Sequence, residues 1–349
     1  MCSLLIFIAC EDDSVSSNHV SENTSWTFIA NEGAYGSSNG SISMIDSFGN
    51  VTTINCWNPV DQVINDCGLS SDTSEPIGDV VHSLEVYNDK LIVLVNNSHK
   101  IRIYDITSEG LGMPGIEIDT EGSSPRELLV LDNKVYFTNW NTQDVKVFNL
   151  FNYAIEASIP IGGLPEGIMF DGTDLWVTVT MNSDWSSASS ISRIDINSNS
   201  VVETIEVGEG PQNLIQHNGD IYVSRTFYDE SWNAFHGSSK IGDETIINNY
   251  GSGAVCGGAV LSFNGDVYRS HNGGISPLQD NLDFDESGRI GNYNQDEVYH
   301  VEIIDDNIWF GIRDLNNGPG MIKVVDLNGD ELLEYSVGIN PGDFAVWAK

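Results

Sequence analysis

The sequence predicts an all-β protein, a seven-bladed β-propeller closed by pairing of its N- and C-terminal strands, and three observations predict it. A bulky strand-centre residue recurs at Ile92, Tyr136, Trp176, Tyr222, Tyr268 and Trp309, 40 to 46 residues apart, the period at which propeller blades repeat. Each of these residues ends the same unit, two apolar strands around a polar turn: HSLEVYNDKLI, RELLVLDNKVY, EGIMFDGTDLW, QNLIQHNGDIY, GAVLSFNGDVY and YHVEIIDDNIW. The two ends of the chain complete each other. WTFIANEG and GSISMIDSFGNVTTI lack a first strand, and INPGDFAVWAK is a first strand without a blade. Joining them makes a seventh blade and removes the sheet edges that an open array would expose.

The elements follow in order. SLLIFIAC is a short apolar run ending in a small residue before Cys10 and reads as an export signal. It resembles a bacterial lipoprotein signal, which implies that residues 1–9 are removed, that Cys10 is lipidated and that residues 10–25 are a polar tether. Residues 26–349 are the propeller. No later run reaches the roughly 20 apolar residues of a membrane span. Fourteen basic against 51 acidic residues give a net charge of −37, which repels the phosphate backbone and argues against a nucleic-acid partner. Cys56 and Cys67 bracket WNPVDQVIND in the first connection between blades. In an oxidising compartment a bridge there would stabilise by about 3 kcal/mol in the chain-entropy model, and the spacing supplies too few ligands for zinc. Cys256, in GAVCGGAV, reads as a small packed residue.

The phrases VYFTNW, LWVTVT and IYVSRT, with the joins IPIGGLP and IEVGEGP, resemble the YVTN-type propeller repeat. NEGAYGSSNGSIS and GDVVHSLEVYNDKLIVLVNN are similar to YncE-like lipoproteins of Bacteroidota-type envelopes. That resemblance implies an exported protein, lipid-anchored to the bacterial outer membrane and exposed at the cell surface. It also extends to surface proteins that capture cobalamin and hand it to an outer-membrane transporter, which makes a corrinoid the expected ligand.

Function is sought where the copies differ. The turns at one end of the blades are bland, whereas the other end, the top, carries the variation. There the starts of the inner strands give His82, Arg126, Glu166, Gln212, Gly258, Tyr299 and Gly342, and blade symmetry aims them at the channel mouth. The ends of the second strands add Asn31, Glu32, Asn96, Asn139, Trp140, Arg225, His271 and Arg313. The loops beyond add Tyr35, Trp185, Phe227, Tyr228, Trp232, Phe235 and His236. A polar bowl with an aromatic rim is a concave site suited to a ligand. The bland alternative is that these groups satisfy backbone and water, with the aromatics folded over as a plug.

Catalysis has thin support. No nucleophile motif such as G-x-S-x-G is present, though His82, Glu166 and His271 are of a type that could converge on a divalent ion for a metal-dependent hydrolase or lyase. DFDESGRIGNYN opens like a calcium loop at Asp283, Asp285 and Ser287 but has Asn294 in place of the bidentate glutamate. Asp46, Asp105, Asp195 and Asp326 hold similar places, where a short acid can cap a turn. The sequence therefore favours non-catalytic capture of a ligand, with no cofactor. The alternatives are the metal-dependent enzyme and a protein- or glycan-binding module.

Overall fold

The computed structural model describes residues 24–58, 63–67, 76–253 and 258–349. Cys10 and the side chains of Cys56 and Cys67 lie outside the described residues, as does Cys256. The strands form seven antiparallel sheets, and no α-helix occurs among the described residues; a single 3-10 turn spans Glu286–Gly288. The seven innermost strands are Val81–Tyr87, Pro125–Leu131, Leu164–Phe170, Pro211–His217, Val260–Phe263, Val298–Ile304 and Pro341–Ala348. Each touches the next, and the last touches the first, so they line a closed channel.

Closure is as the two ends predict. Ser25–Asn31 pairs antiparallel with Pro341–Ala348, with Phe28 opposite Ala345 and Trp26 opposite Trp347. Trp347 is 4% exposed and packs with Phe28, Met44, Leu84 and Leu91 in the seam between the closing blade and the next. Similar clusters of buried β-branched and aromatic residues fill the other seams. A blade has two apolar faces and buries them only against its neighbours, which makes the ring one cooperative unit. One blade departs from the pattern. The sheet beginning at Val260 has three strands, and its outer edge is covered by the segment carrying the calcium-like motif through the bridges Ile275–Ile290 and Leu278–Phe284.

The register slips at the start of the inner strands: between Pro125 and Leu128, Pro165 and Ile168, and Pro211 and Leu214, with single-residue slips at His82, Tyr299 and Gly342. Such bulges carry extra residue, twist the strand and re-aim its side chains. They also leave a backbone N–H without its ladder partner, which explains the Thr or Ser of the repeat. Thr138 Oγ1 accepts from the Glu127 N–H at 3.0 Å and donates to the Glu166 carbonyl of the next blade at 2.8 Å. Thr178 does the same with the Gly167 N–H at 2.8 Å and the Gln212 carbonyl at 2.6 Å, and Ser224 accepts from the Asn213 N–H. One hydroxyl thus satisfies the bulge and, where it is Thr138 or Thr178, stitches two blades.

Candidate functional site

The bulges place His82, Arg126, Glu166, Gln212, Gly258, Tyr299 and Gly342 around one cavity of about 430 Å³ at the channel mouth. Glu32, Trp140, Thr180 and Tyr228 enter it from the adjoining second strands and loops, and Glu127, His300, Glu302 and Asp343 from deeper in the channel. Gly342 keeps the closing strand out of the way. A Cβ there would stand 3.3 Å from both Glu32 Oε1 and the Tyr299 ring, crowding the contact that joins them.

The upper charges are matched. Arg126 clasps Glu166 through Nε at 3.0 Å and Nη2 at 2.5 Å, and its guanidinium lies 4.3 Å from the Trp140 ring centre. Trp185 abuts Trp140 edge-on at 6.0 Å. His82 Nδ1 stands 2.8 Å from Glu32 Oε1, its Nε2 is 3.5 Å from Glu127, and the Tyr299 hydroxyl donates to Glu32 Oε2 at 2.5 Å. Burial and the charge of Arg126 push the His82 pKa down, but the Glu127 and Glu32 carboxylates outweigh them and raise it to about 9. Burial alone would raise the Glu32 carboxyl, and it is held below its usual value by His82 and Tyr299. The two carboxylates thus favour the protonated form of the His82 imidazole.

Lower in the channel, burial and the nearby Glu127 and Glu302 carboxylates push Asp343 up to about 8, and burial raises Glu85 to about 7. Two groups could hold a cation: His82, Glu127 and Glu166, and His300, Glu302 and Asp343, each with ligand atoms within 4.8 Å of one another. In the upper group Arg126 bonds both oxygens of Glu166, so an ion there would stand against the positive charge of the guanidinium.

Other predicted residues lie elsewhere. Arg225 does not face the mouth; it is 1% exposed inside its blade, donating to the Glu209, Ser238 and Asn248 carbonyls and to Asn249 Oδ1. Burial lowers its pKa to about 10. Asn139 is fully buried and donates to the Phe137 and Asp144 carbonyls. His271 does not join His82 and Glu166. It stacks on Phe284 at 3.8 Å, contacts Glu286 at 2.7 Å and lines a separate cavity of about 30 Å³ with His236 and Arg269. Phe227 stacks on Phe235 at 5.8 Å. Arg313 Nε donates to the Asp296 carbonyl, and its guanidinium sits 5.4 Å from the Tyr299 ring, supporting the rim from outside. Trp185 and Trp232 are 54% and 61% exposed, and Trp232 leans on Tyr228 at 5.7 Å.

In the calcium-like segment, Asp285 caps its own turn by accepting from the Ser287 N–H and Oγ, while Asp283 accepts from Asn248 and Asn281. Asp46, Asp195 and Asp326 cap turns in the same way, accepting from Phe48, Asn197 and Asn328 N–H groups. Asp105 instead pairs with Lys90 at 2.6 Å.

Glu127, His300, Glu302 and Asp343 were not singled out by the sequence reading. Each sits one or three residues after a ring residue on its inner strand, where the bulge turns it to the channel.

The fold and this mouth together define the class, a seven-bladed β-propeller that pools charged side chains at one end of a closed channel. No protein-family model matches the chain, and no curated protein does either. Solved structures do resemble it. A candidate 6-phosphogluconolactonase from Bacteroides fragilis superposes with a TM-score of 0.63 at 14% identity, covering 94% of this chain and 99% of that one. A Lactobacillus plantarum protein gives 0.61 at 11% identity over 93% and 99%. A hypothetical selenium-binding protein from Sulfolobus tokodaii gives 0.57 at 9% identity over 93% and 92%. At such identities the likeness is one of fold.

Proposed function

We propose that the protein binds a small polar ligand, or the polar arm of a larger one, in the channel mouth and does not transform it. The observation that carries this reading is the 430 Å³ cavity whose upper charged groups are already paired, Arg126 with Glu166 and His82 with Glu32. Paired groups present fixed dipoles and donors to a guest, whereas a catalytic base or nucleophile must be free to exchange its proton or attack.

Within that reading the ligand we carry forward is a corrinoid, captured at the cell surface and passed to an outer-membrane transporter. The planar ring would rest on the aromatic rim of Trp140, Trp185, Tyr228 and Trp232, with an amide arm reaching Gln212 and Arg126 in the mouth. Lipidation at Cys10 suits this arrangement. In the closing pair Ser25 lies opposite Ala348 and Asn31 opposite Pro341, which puts Ser25 at the end of its strand away from the mouth. A protein- or glycan-docking face is a second reading, supported by the exposure of Trp185 and Trp232 beyond the cavity.

Absorbance titration of cobalamin with purified protein tests the first reading. A saturable spectral change at micromolar protein, lost in Trp140→Ala, supports it; an unchanged spectrum sinks the corrinoid. Weakened adhesion to glycans in Trp185→Ala and Trp232→Ala, with the mouth residues intact, would favour the docking face.

A further inference from the structure

Below the mouth the balance of charge changes. Glu302 and Asp343 project into the channel beside Glu127, and no lysine or arginine pairs with Glu302 or Asp343 among the described residues. Their one basic neighbour is His300, whose Nε2 stands 3.5 Å from Glu302 Oε2. That is too long for a good hydrogen bond. Both atoms are enclosed, and neither has a hydrogen-bond partner among the described residues. The two side chains are 24% and 37% exposed to the cavity, so an imidazole nitrogen and a carboxylate oxygen are open to whatever enters it, water or an ion.

The spacing says what kind of thing. One atom each from His300, Glu302 and Asp343 lie within 4.8 Å of one another. Ligands that each stand about 2.0–2.3 Å from one dication are at most about 4.6 Å apart, so a small inward movement brings the three to a shared ion. We propose that His300, Glu302 and Asp343 form a site for a single divalent transition-metal ion of the Mn²⁺ or Zn²⁺ kind, held in the channel beneath the mouth. One imidazole with two carboxylates is a donor set for such ions, whereas Ca²⁺ and Mg²⁺ are served by oxygen alone.

The supporting contacts set the ligands in place. Asp343 Oδ2 accepts from the Leu84 N–H at 2.7 Å and Oδ1 from the Phe344 N–H at 3.0 Å, leaving each oxygen a lone pair for the metal. The His300 ring packs edge-on against Phe344 at 4.8 Å. Second contacts of this sort fix ligand orientation at metal centres. All three residues line the same cavity as the mouth, which provides the route for entry and room for water at the open coordination positions. The assignment goes beyond the capture reading and uses none of the residues that reading needs.

Chelator-stripped protein titrated with Mn²⁺ and followed by electron paramagnetic resonance tests it, with Zn²⁺ as competitor. The expected result is one Mn²⁺ per chain, displaced by Zn²⁺, with a melting temperature that rises with metal concentration. Affinity should fall at least tenfold in His300→Ala and in Asp343→Asn, and stay within threefold in His271→Ala. Glu302→Gln, which keeps the side-chain shape, serves as the second variant if His300→Ala loses its native circular dichroism. No binding by folded protein at 1 mM Mn²⁺ or Zn²⁺ overturns the site. Unchanged affinity in His300→Ala and Asp343→Asn, or loss of binding in His82→Ala alone, overturns it equally. Because metal alone is the probe, a failed cobalamin titration leaves this result untouched.

Discussion

Arg126 on one inner strand and Glu166 on the next are joined by two charge-assisted hydrogen bonds, at 3.0 and 2.5 Å, across the boundary between their blades. Both side chains are largely enclosed, 17% and 9% exposed. Removing one member of an enclosed pair leaves the other charge uncompensated, at a cost of about 3–5 kcal/mol. Arg126→Ala is therefore expected to lower unfolding stability by about 3 kcal/mol in urea titration, and Arg126→Met with Glu166→Met together to recover most of it. An additive double variant would show that the two do not act as a pair.

Thr178 is expected to matter more than its size suggests. Thr178→Val keeps the shape but orphans the buried Gly167 N–H and the Gln212 carbonyl, which costs about 1–3 kcal/mol. Thr178→Ser keeps the hydroxyl and should lose less than half as much. Equal losses in the two variants would assign the effect to the methyl group.

Trp347→Ala should open the seam that closes the ring. The indole is 4% exposed, and its Nε1 donates to Asp89 at 2.9 Å, so truncation should cost about 3–5 kcal/mol. Thermal unfolding should remain a single transition, since no blade buries its faces alone. Two separate transitions would contradict a single cooperative ring.

Two histidines set opposite pH limits. His82, raised to about 9, binds its proton more tightly in the folded state, so its contribution is complete below about pH 6.5 and is lost as pH rises through 9. His236 is lowered to about 4, mainly by burial and then by Arg269 and His271. The unfolded chain binds that proton first, so stability falls as pH drops from about 6.5 toward 4. His82→Gln should flatten the alkaline limb of the stability profile and His236→Gln the acid limb, by chemical denaturation between pH 4 and 9. A profile unchanged in either variant refutes the corresponding assignment.

The ring of seven was legible because each blade repeats its turn and its strand centre, and because the leftover pieces at the two ends are complementary. The upper mouth residues were legible too, since a proline or valine and then a polar residue mark where five of the seven inner strands begin: His82, Arg126, Glu166, Gln212 and Tyr299. What escaped notice follows from the alternation of strand side chains. Asn139 and Arg225 stand opposite Pro125 and Pro211 and turn inward between blades, while Trp140, one residue on, turns to the mouth. The bulge breaks that parity within the inner strand, so Glu127 and His300 face the channel directly after Arg126 and Tyr299. A residue count cannot anticipate the offset without knowing where the bulge falls. His271 was misplaced for another reason: its blade has three strands, and Phe284 from the covering segment draws the imidazole away.

The pairing of Ser25–Asn31 with Pro341–Ala348 also dictates an order of events during synthesis. Of the described strands Ser25–Asn31 is made before all others and Pro341–Ala348 after them, so the first waits with a row of unpaired N–H and C=O groups while the blades between are made. Until Pro341–Ala348 is made, the best complement to that row is the same strand of another copy. Crowded expression should therefore trade some single rings for swapped dimers, in which each chain closes the other.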